Sequence, residues 1–362
     1  MSPDTLTLDA GFDAAAAEAF ADRVAGMLDD GAAAVLIGLG HRAGLFAAMA
    51  ATPPATSGAI AARAGLDERY VREWLAAMTT ARVLDYDPAR RTYHLPPHHA
   101  ACLVADAPLG NLAVFGQHVA LMGQVGERVL GCLRAGGGLA YDDYPCFHVL
   151  MEEDSAQTVT AALFDHVLPL VPDLDARLAA GIDVLDAGCG RGSALAALAA
   201  RYPASRFTGY DLCPDAIAHA ERVATAAGLT NLAFAVRDLS DYATSAAFDL
   251  VTSFDAIHDQ KDPQALIRAL HAALRPDGVY LVQDIGGSAG LENNLDFPLA
   301  TFLYAISLTH CTPVSLGQGG AGLGTMWGWE TAEAMLREAG FAAVARHSLA
   351  HDPMNVWFVA RR

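Results

Sequence analysis

A glycine-rich loop between an apolar run and a helix-forming run is the first segment that could do chemistry. The apolar run ends at Asp186, and Gly188, Gly190 and Gly192 follow at alternate positions. Glycines permit sharp turns and let the backbone approach a ligand closely. The alanine- and leucine-rich stretch after Gly192 predicts a helix, and its first N–H groups attract an anion. We therefore predict that this loop binds the anionic part of a cofactor.

Two further carboxylates follow at predicted strand ends. Residues 206–210 form a strand pattern that ends in Asp211, nineteen positions after Gly192. A carboxylate at this place in a nucleotide-binding sheet accepts hydrogen bonds from ribose hydroxyls. The next predicted strand, 232–236, is followed by Asp238, which could accept from an adenine amine. One such aspartate alone is more often a turn or cap residue, but three at successive strand ends predict a nucleoside site.

The glycine spacing separates two classes of nucleotide enzyme. The loop is G-x-G-x-G, whereas pyrophosphate-binding dehydrogenases use G-x-G-x-x-G, so a nicotinamide dehydrogenase is disfavoured. Gly317, Gly319 and Gly322 do have the second spacing. The stretch before them contains Pro313, however, and does not resemble a buried strand. We expect residues 317–324 to form a mobile flap over the site.

His258 is the leading candidate for acid–base chemistry among thirteen histidines. It lies four residues beyond the predicted strand 248–254, at the edge of the sheet where sites of such folds lie. A neutral imidazole, with an ordinary pKa of about 6.5, is suited to accept a hydroxyl proton. Most histidines are structural, so position alone singles out this one. We predict that His258 is a general base.

Three regions would position these residues. Residues 1–105 predict helix, turn, helix and hairpin, the layout of a winged helix, with Asp67 capping the second helix. Residues 106–172 predict helices that link the two ends of the chain and contribute to the active site. From residue 173 to 362, short apolar runs alternate with helical ones, which is typical of β-α-β units. The last two runs predict an antiparallel hairpin.

The charge of the chain argues against nucleic-acid partners. It has 41 acidic and 23 basic residues, a formal net charge of −18. Residues 1–100 alone contain 12 acidic residues and 8 arginines, a net of −4 (8 − 12). A DNA reader needs a basic surface that releases counterions. We therefore predict packing or dimerisation, rather than DNA binding, for the winged helix.

Cysteine usage and the amino-terminal region bear on the compartment. The six cysteines form no C-x-x-C pair, so neither a zinc site nor a disulfide framework is predicted. No basic residue precedes Arg23, unlike in a signal peptide, and the apolar run 32–40 is too short to span a bilayer. We predict a soluble cytoplasmic protein with no membrane partner.

Taken together, these motifs resemble the class I S-adenosylmethionine-dependent methyltransferases. The resemblance covers about residues 173–362 and includes the segment Leu274-Arg275-Pro276-Asp277-Gly278 after the three aspartates. It implies an α/β fold with a Rossmann-like seven-stranded sheet, an antiparallel carboxyl-terminal hairpin and S-adenosylmethionine as cofactor. The cofactor-binding residues that it implies are Asp186, Gly188, Gly190, Gly192, Asp211, Leu212, Asp238, Leu239 and Ser253.

With the α-rich winged helix included, the whole chain resembles small-molecule O-methyltransferases of plant and bacterial secondary metabolism. That family dimerises through the winged-helix domain, which roofs the active site. Its catalytic His-Asp pattern matches the segment at His258, and Asp284 corresponds to the acid that orients the base. A small aromatic or apolar acceptor is implied. Candidates for its pocket, each more often a core residue, are Phe115, His118, Met122, Tyr141, Phe147, Phe297, Phe302 and Trp327.

Two other functions stay open from the residues. The same scaffold also supports methyl transfer to nitrogen or carbon, because a fold does not fix the acceptor. A winged helix beside a nucleoside site would also suit a transcriptional regulator with the cofactor or a metabolite as effector. The acidic surface disfavours the regulator.

Overall fold

The computed structural model describes residues 12–105, 107 and 110–362. The chain divides into two compact units, residues 1–120 and 121–362. The predicted boundaries at residues 105 and 172 stay predictions. One helix, α6, crosses the division. The helices and strands of the first part of the chain are α1 (Ala14–Arg42), α2 (Leu45–Met49), α3 (Ser57–Ala64), α4 (Glu68–Thr80), β1 (Asp85–Asp87), β2 (Thr92–His94), α5 (Pro97–Ala100) and α6 (Phe115–Ala135).

The first unit contains the predicted helix-turn-helix and hairpin. Thr56 caps α3 by accepting from the Ala59 N–H, and Asp67 caps α4 by accepting from the Arg69 N–H at 2.9 Å. Between them Gly65 adopts φ +69°, a left-handed conformation that glycine adopts without strain. The strands β1 and β2 pair antiparallel. A buried cluster fixes the helices against the hairpin; among its members are Leu45, Phe46, Ile60, Trp74, Leu75, Met78, Leu84 and Leu95.

Helix α1 exposes much of its apolar surface. Its exposed large apolar side chains are Phe20, Val24, Met27, Leu28, Val35 and Leu39, of which Leu28 is 72% exposed. Among the described residues, α1 alone has the length and apolarity that a membrane span requires, and 11% of its most apolar window is buried. Core helices of soluble proteins and signal sequences share these properties, so this is weak evidence of a span. The helix is longer than the apolar run 32–40, from which no span was predicted.

The second unit is an α/β sheet with helices on both faces. Three π-helical turns, Ala156–Thr160, Leu163–Val167 and Ser307–Cys311, were not predicted. The remaining elements are α7 (Phe147–Ser155), α8 (Leu174–Ala180), β3 (Asp183–Ala187), α9 (Ser193–Arg201), β4 (Arg206–Asp211), α10 (Pro214–Ala226), β5 (Leu232–Val236), β6 (Phe248–Phe254), α11 (Pro263–Ala273), β7 (Leu274–Ile285), α12 (Ala300–Ile306), α13 (Thr312–Gly317), α14 (Trp329–Glu338), β8 (Ala343–Leu349) and β9 (Asp352–Arg361).

The sheet has the order β5-β4-β3-β6-β7-β9-β8. Strands β3 to β7 run parallel, whereas β9 pairs antiparallel with both β7 and β8. This confirms the predicted fold class, including the closing hairpin. One buried cluster on each face holds the helices against the sheet, and strands β3, β6, β7 and β9 contribute side chains to both. Within β9, Trp357 and Phe358 are fully buried and point to opposite faces.

One strand is longer than its sequence pattern indicated. Residues 274–278 contain a proline and a glycine, which are typical of a loop, but β7 begins at Leu274. Leu274 pairs with Phe248, and the register then shifts before Val279 pairs with Leu250. Such an irregularity accommodates Pro276, which has no N–H for a continuous ladder.

Candidate active site

A cleft opens at the carboxyl ends of the parallel strands in the second unit. Its volume is about 1100 Å³, counting the part that is open to solvent. The glycine loop, Asp211 and Asp238 line one part of it, and Tyr141, Phe147 and the segment after β6 line another. Ligand sites of open α/β sheets lie at this edge, where side chains from several strand ends converge. The cleft is therefore the candidate active site.

The three loop glycines all have positive φ angles, 84° at Gly188, 52° at Gly190 and 76° at Gly192. A Cβ on Gly192 would lie 2.5 Å from the Phe234 ring, and one on Gly188 would lie 2.5 Å from the Ala256 Cβ. A Cβ on Gly190 would meet nothing within 4 Å. Two of the glycines thus allow close packing, and Gly190 leaves the backbone open to the cleft.

Asp211 connects the glycine loop to the end of β4. Its Oδ2 accepts the Gly190 N–H at 2.8 Å, and its Oδ1 accepts the Cys213 N–H at 2.9 Å. A carboxylate has about four acceptor positions. Each oxygen therefore keeps a lone pair for a further donor, and the side chain lines the cleft. This geometry suits a vicinal diol such as that of ribose.

Asp186 is almost completely buried at the end of β3. Its Oδ1 accepts the Thr252 hydroxyl at 2.8 Å. Burial raises its pKa to about 7, the Thr252 hydrogen bond opposes that rise, and the negative charge of Asp211 adds to it. A nearby positive group would favour the ionised form of a carboxyl that is buried in this way. Its location under the loop would suit the cationic part of a cofactor.

The buried carboxyls give the ligand-free protein a predictable pH dependence. The pKa of both Asp186 and Asp255 is raised from 3.8 to about 7. Because the folded state holds these protons more tightly than the unfolded chain, stability falls as the pH rises from about 4 through 7. We expect the melting temperature to fall between pH 5 and pH 8, and to fall less in Asp186→Asn, which keeps an acceptor for Thr252.

Thermal denaturation at several pH values measures this effect. The exposed Asp241 provides the control, because Asp241→Asn removes a charge that water already solvates. An equal fall in the wild type and in Asp186→Asn would contradict the assignment of the titrating group.

The other predicted cofactor residues differ in their placement. Asp238, Leu212 and Leu239 line the cleft. Asp238 also caps a short 3₁₀ turn by accepting the Ser240 N–H at 2.8 Å. Ser253 is fully buried, accepts the Tyr280 hydroxyl at 3.0 Å and does not line the cleft. The structure thus brings the predicted set together except for Ser253, and the binding roles stay predictions.

His258 and Asp284 lie together, with the His258 Nδ1 2.9 Å from the Asp284 Oδ1. The His258 Nε2 is 3.2 Å from the Cys311 Sγ. Burial alone would lower the pKa of His258, but the Asp284 charge and then Cys311 raise it well above the usual value. His258 is buried, and it does not line the cleft. Its role as a general base stays a prediction that this geometry does not favour.

Two carboxylates of the cleft were not named as site residues in the sequence analysis. Asp255 and Asp259 flank His258 in the sequence and line the cleft, as does Tyr141. The Tyr141 hydroxyl donates to the Asp259 Oδ2 at 2.6 Å, and burial next to that carboxylate raises the pKa of Tyr141 well above its usual value. Asp255 has φ +53°, an unfavourable conformation for a non-glycine residue that is typical of functional sites. The available sequence signal was the position of Asp255 and Asp259, three residues before and one residue after His258.

Of the residues predicted to form the acceptor pocket, Tyr141 and Phe147 line the cleft. Trp327 is a buried core residue whose Nε1–H donates to the Asp284 Oδ1 at 3.0 Å. Phe297 packs against a small apolar cluster around Leu303. Met122 and Phe302 do not line the cleft, and Phe115 and His118 belong to the first unit.

The segment 317–324 follows a helical turn rather than a strand, as expected, because α13 ends at Gly317. Gln318 lines the cleft. The Ala321 N–H donates to the Lys261 carbonyl at 3.1 Å, and the Gly322 N–H donates to the Ser315 hydroxyl at 3.0 Å. The segment is therefore bound to the protein next to the cleft, and its motion as a flap stays a prediction.

Two family models match the chain. Residues 31–105 match the Rv2258c-like winged HTH domain, and residues 178–312 match a methyltransferase domain. Trans-aconitate 2-methyltransferase of Escherichia coli is 34% identical over 100 residues, which are 28% of this chain and 38% of that enzyme. The match thus spans about two fifths of the length of that relative.

Solved structures resemble nearly the whole chain. Human N-acetylserotonin methyltransferase in complex with S-adenosylmethionine superposes with a TM-score of 0.68 at 16% identity, over 98% of this chain and 99% of that one. The O-methyltransferase NcsB1 from neocarzinostatin biosynthesis, in complex with S-adenosylmethionine and 2-hydroxy-5-methyl naphthoic acid, gives 0.59 at 19% identity, over 91% and 96%. The chain therefore has the class I methyltransferase fold, with a winged helix-turn-helix domain ahead of its methyltransferase domain.

Proposed function

We propose that the protein transfers the methyl group of S-adenosylmethionine to a small-molecule acceptor. The observation that carries this proposal is the Asp211 carboxylate, whose two oxygens each accept one backbone N–H beside an open glycine loop. Each hydroxyl of a ribose diol would donate a hydrogen bond to one of the two Asp211 oxygens. Asp238 would face the adenine, and the buried Asp186 would lie below the cationic end of the cofactor. The match to a methyltransferase domain and the two cofactor complexes of similar fold support the same cofactor.

The acceptor is proposed to be small and aromatic. Tyr141, Phe147 and His148 line the cleft, and NcsB1 was crystallised with a hydroxynaphthoic acid. A sulfonium methyl is already electrophilic, so the protein mainly aligns the acceptor and removes its proton. Oxygen is the proposed methylated atom, and nitrogen or carbon is the alternative. His258 with Asp284 is the proton acceptor that the family resemblance implies, and Cys311 would have to move away from the His258 Nε2 for it to act.

Binding and turnover test the proposal in sequence. Calorimetry with S-adenosylmethionine and S-adenosylhomocysteine, on protein freed of carried-over ligand, comes first, with NAD as the comparison. Transfer of a labelled methyl group to a panel of phenols, catechols and aromatic amines follows. We expect uptake of both sulfur nucleosides and none of NAD. Absence of uptake of either nucleoside would contradict the proposal.

We also propose that the protein is a cytoplasmic homodimer and does not bind nucleic acid. The exposed apolar side chains of α1 support a partner surface, because a soluble monomer rarely exposes a large contiguous apolar patch. The net charge of −18 opposes DNA binding. Analytical ultracentrifugation of the wild type and of a Leu28→Glu/Leu39→Glu variant tests the dimer. A monomeric wild type, or a variant that still dimerises, would contradict the α1 interface, and specific DNA binding at physiological salt would favour a regulator.

A further inference from the structure

Two carboxylates that line the cleft have unused oxygens. Asp255 and Asp259 both line the cleft, and the Tyr141 hydroxyl fixes Asp259 through its Oδ2. The Oδ1 atoms of Asp255 and Asp259 are buried and accept no hydrogen bond. Asp259 is only 7% exposed as a residue. A buried carboxylate oxygen without a partner is costly, so a bound ligand that supplies a donor would be stabilising.

The cations near these carboxylates are already paired. His258 lies 3.8 Å from the Asp255 Oδ1 but donates to Asp284 at 2.9 Å. Of the two arginines that line the cleft, Arg191 pairs with Glu152, and Arg237 stacks on the rings of Tyr210 and Tyr242. In the described part of the chain, no lysine or arginine forms an ion pair with Asp255 or Asp259. The cluster of Asp255, Asp259 and Asp284 therefore has more carboxylates than cationic partners.

The protein partly relieves this excess by holding protons. Burial, more than any other factor, raises the pKa of Asp255 to about 7 and also raises the pKa of Asp259. A cation in the cleft would relieve it directly, because it would favour the ionised form of both carboxyls. The two carboxyls therefore favour a positively charged ligand over a neutral or negative one.

The surroundings favour an organic cation over a metal ion. Asp255, His258 and Asp284 offer ligand atoms within 4.8 Å of one another, as a metal site would. Both His258 nitrogens are engaged, however, by Asp284 and by Cys311. A metal would have to displace one of these contacts before it could bind the imidazole. The aromatic rings of Tyr141, Phe147 and Phe254 also line the cleft, and such rings favour ammonium groups through cation–π contacts.

We propose that the acceptor carries a protonated amine beside its aromatic ring, and that Asp255 and Asp259 bind this ammonium group. This substrate class rests on the proposed methyl transfer. It sets the chain apart from the trans-aconitate methyltransferases that it matches in part, whose named substrate is an anion that this acid-lined end would repel. The ammonium group is a recognition element, and the methylated atom lies elsewhere on the acceptor.

Three phenols of similar size test the charge preference. Tyramine carries an ammonium group, 4-ethylphenol is neutral, and 3-(4-hydroxyphenyl)propionate carries a carboxylate. Calorimetric titration of each into the full-length protein, with and without saturating S-adenosylhomocysteine, compares their affinities. We expect tyramine to bind roughly 10- to 100-fold more tightly than 4-ethylphenol, the range for a hydrogen bond to a charged group. The propionate should bind weakest, because like charges oppose each other.

The double variant Asp255→Asn/Asp259→Asn should reduce the preference for tyramine to less than about threefold, since both amides keep an acceptor oxygen but lose the charge. Asp241→Asn/Asp277→Asn is the matched control, because it removes the same charge from exposed positions outside the cleft. The control should keep the full preference. Retained uptake of S-adenosylhomocysteine by both variants would show that the fold is intact.

Several results would overturn the proposal. Equal binding of tyramine and 4-ethylphenol, no detectable tyramine binding at millimolar concentration, or an unchanged preference in the Asp255→Asn/Asp259→Asn variant would each do so. Binding of Mn²⁺, followed by electron paramagnetic resonance and lost in that variant, would identify a metal site instead. Absence of S-adenosylhomocysteine binding by the wild type would contradict the methyltransferase proposal. The relative affinities of the three phenols would still test the role of the two carboxylates.

Discussion

Replacing Asp211 by alanine should weaken S-adenosylmethionine binding by about 100-fold or more. The ribose would lose two hydrogen bonds to the Asp211 carboxylate. Hydrogen bonds to a charged group contribute about 1.5–3 kcal/mol each. The Gly190 and Cys213 N–H groups would also lose their acceptor, so the loop would be less well ordered before the cofactor arrives. Calorimetry gives the dissociation constant of the variant directly.

Two further aspartates calibrate this result. Asp238→Ala should cost less, roughly 10-fold, because Asp238 would accept one hydrogen bond from the adenine. Asp241→Ala should leave the affinity unchanged, since Asp241 is exposed and lies outside the cleft. If Asp211→Ala bound as tightly as Asp241→Ala, the ribose would have to lie elsewhere.

Replacing His258 by alanine should lower the free energy of unfolding by about 3–5 kcal/mol, the range for removing one partner of a buried ion pair. His258 and Asp284 are both almost completely buried, so the Asp284 charge would remain without its cation. Denaturation in urea at pH 7 measures the loss. The double variant His258→Leu/Asp284→Leu should lose less than the sum of the single changes, because no isolated charge is left behind.

The same variants separate stability from catalysis. If His258 also accepts the proton of the acceptor, turnover by the folded fraction of His258→Ala should fall by ~10²–10⁴-fold, with nearly unchanged S-adenosylmethionine affinity. Full turnover with a hydroxylated acceptor would remove His258 from the mechanism. It would then leave only the structural role, as the cation that compensates Asp284.

Much of the second unit could be predicted from the sequence, because each of the first three parallel strands is a short run with an aspartate at or near its carboxyl end. Asp186, Asp211 and Asp238 follow this rule and converge on the cleft. The start of β7 did not follow it, since Pro276 and Gly278 read as a loop while the ladder continues past them through a register shift. Backbone pairing of this kind depends on the neighbouring strand, which local sequence does not reveal.

The site was harder to predict than the fold, because side-chain direction decides it. Thr252 and Ser253 are adjacent in β6 and point to opposite sides. Thr252 hydrogen-bonds Asp186, whereas Ser253 hydrogen-bonds Tyr280 in the core. Position favoured His258 in the same way, yet its neighbours Asp255 and Asp259 face the cleft. Cys311, which covers the His258 Nε2, lies 53 residues away in the sequence, and only the tertiary fold brings it there.

The position of β9 has a consequence for how the protein assembles during synthesis. In the described chain, β8 pairs only with β9, and β9 pairs with β7. The ribosome makes β8 first, but β8 has no place in the sheet until β9 has been inserted beside β7. Until then the apolar edge of β7 is available to other chains, and such edges favour aggregation. Released chains that are truncated between residues 349 and 352 should therefore be the ones most dependent on chaperones.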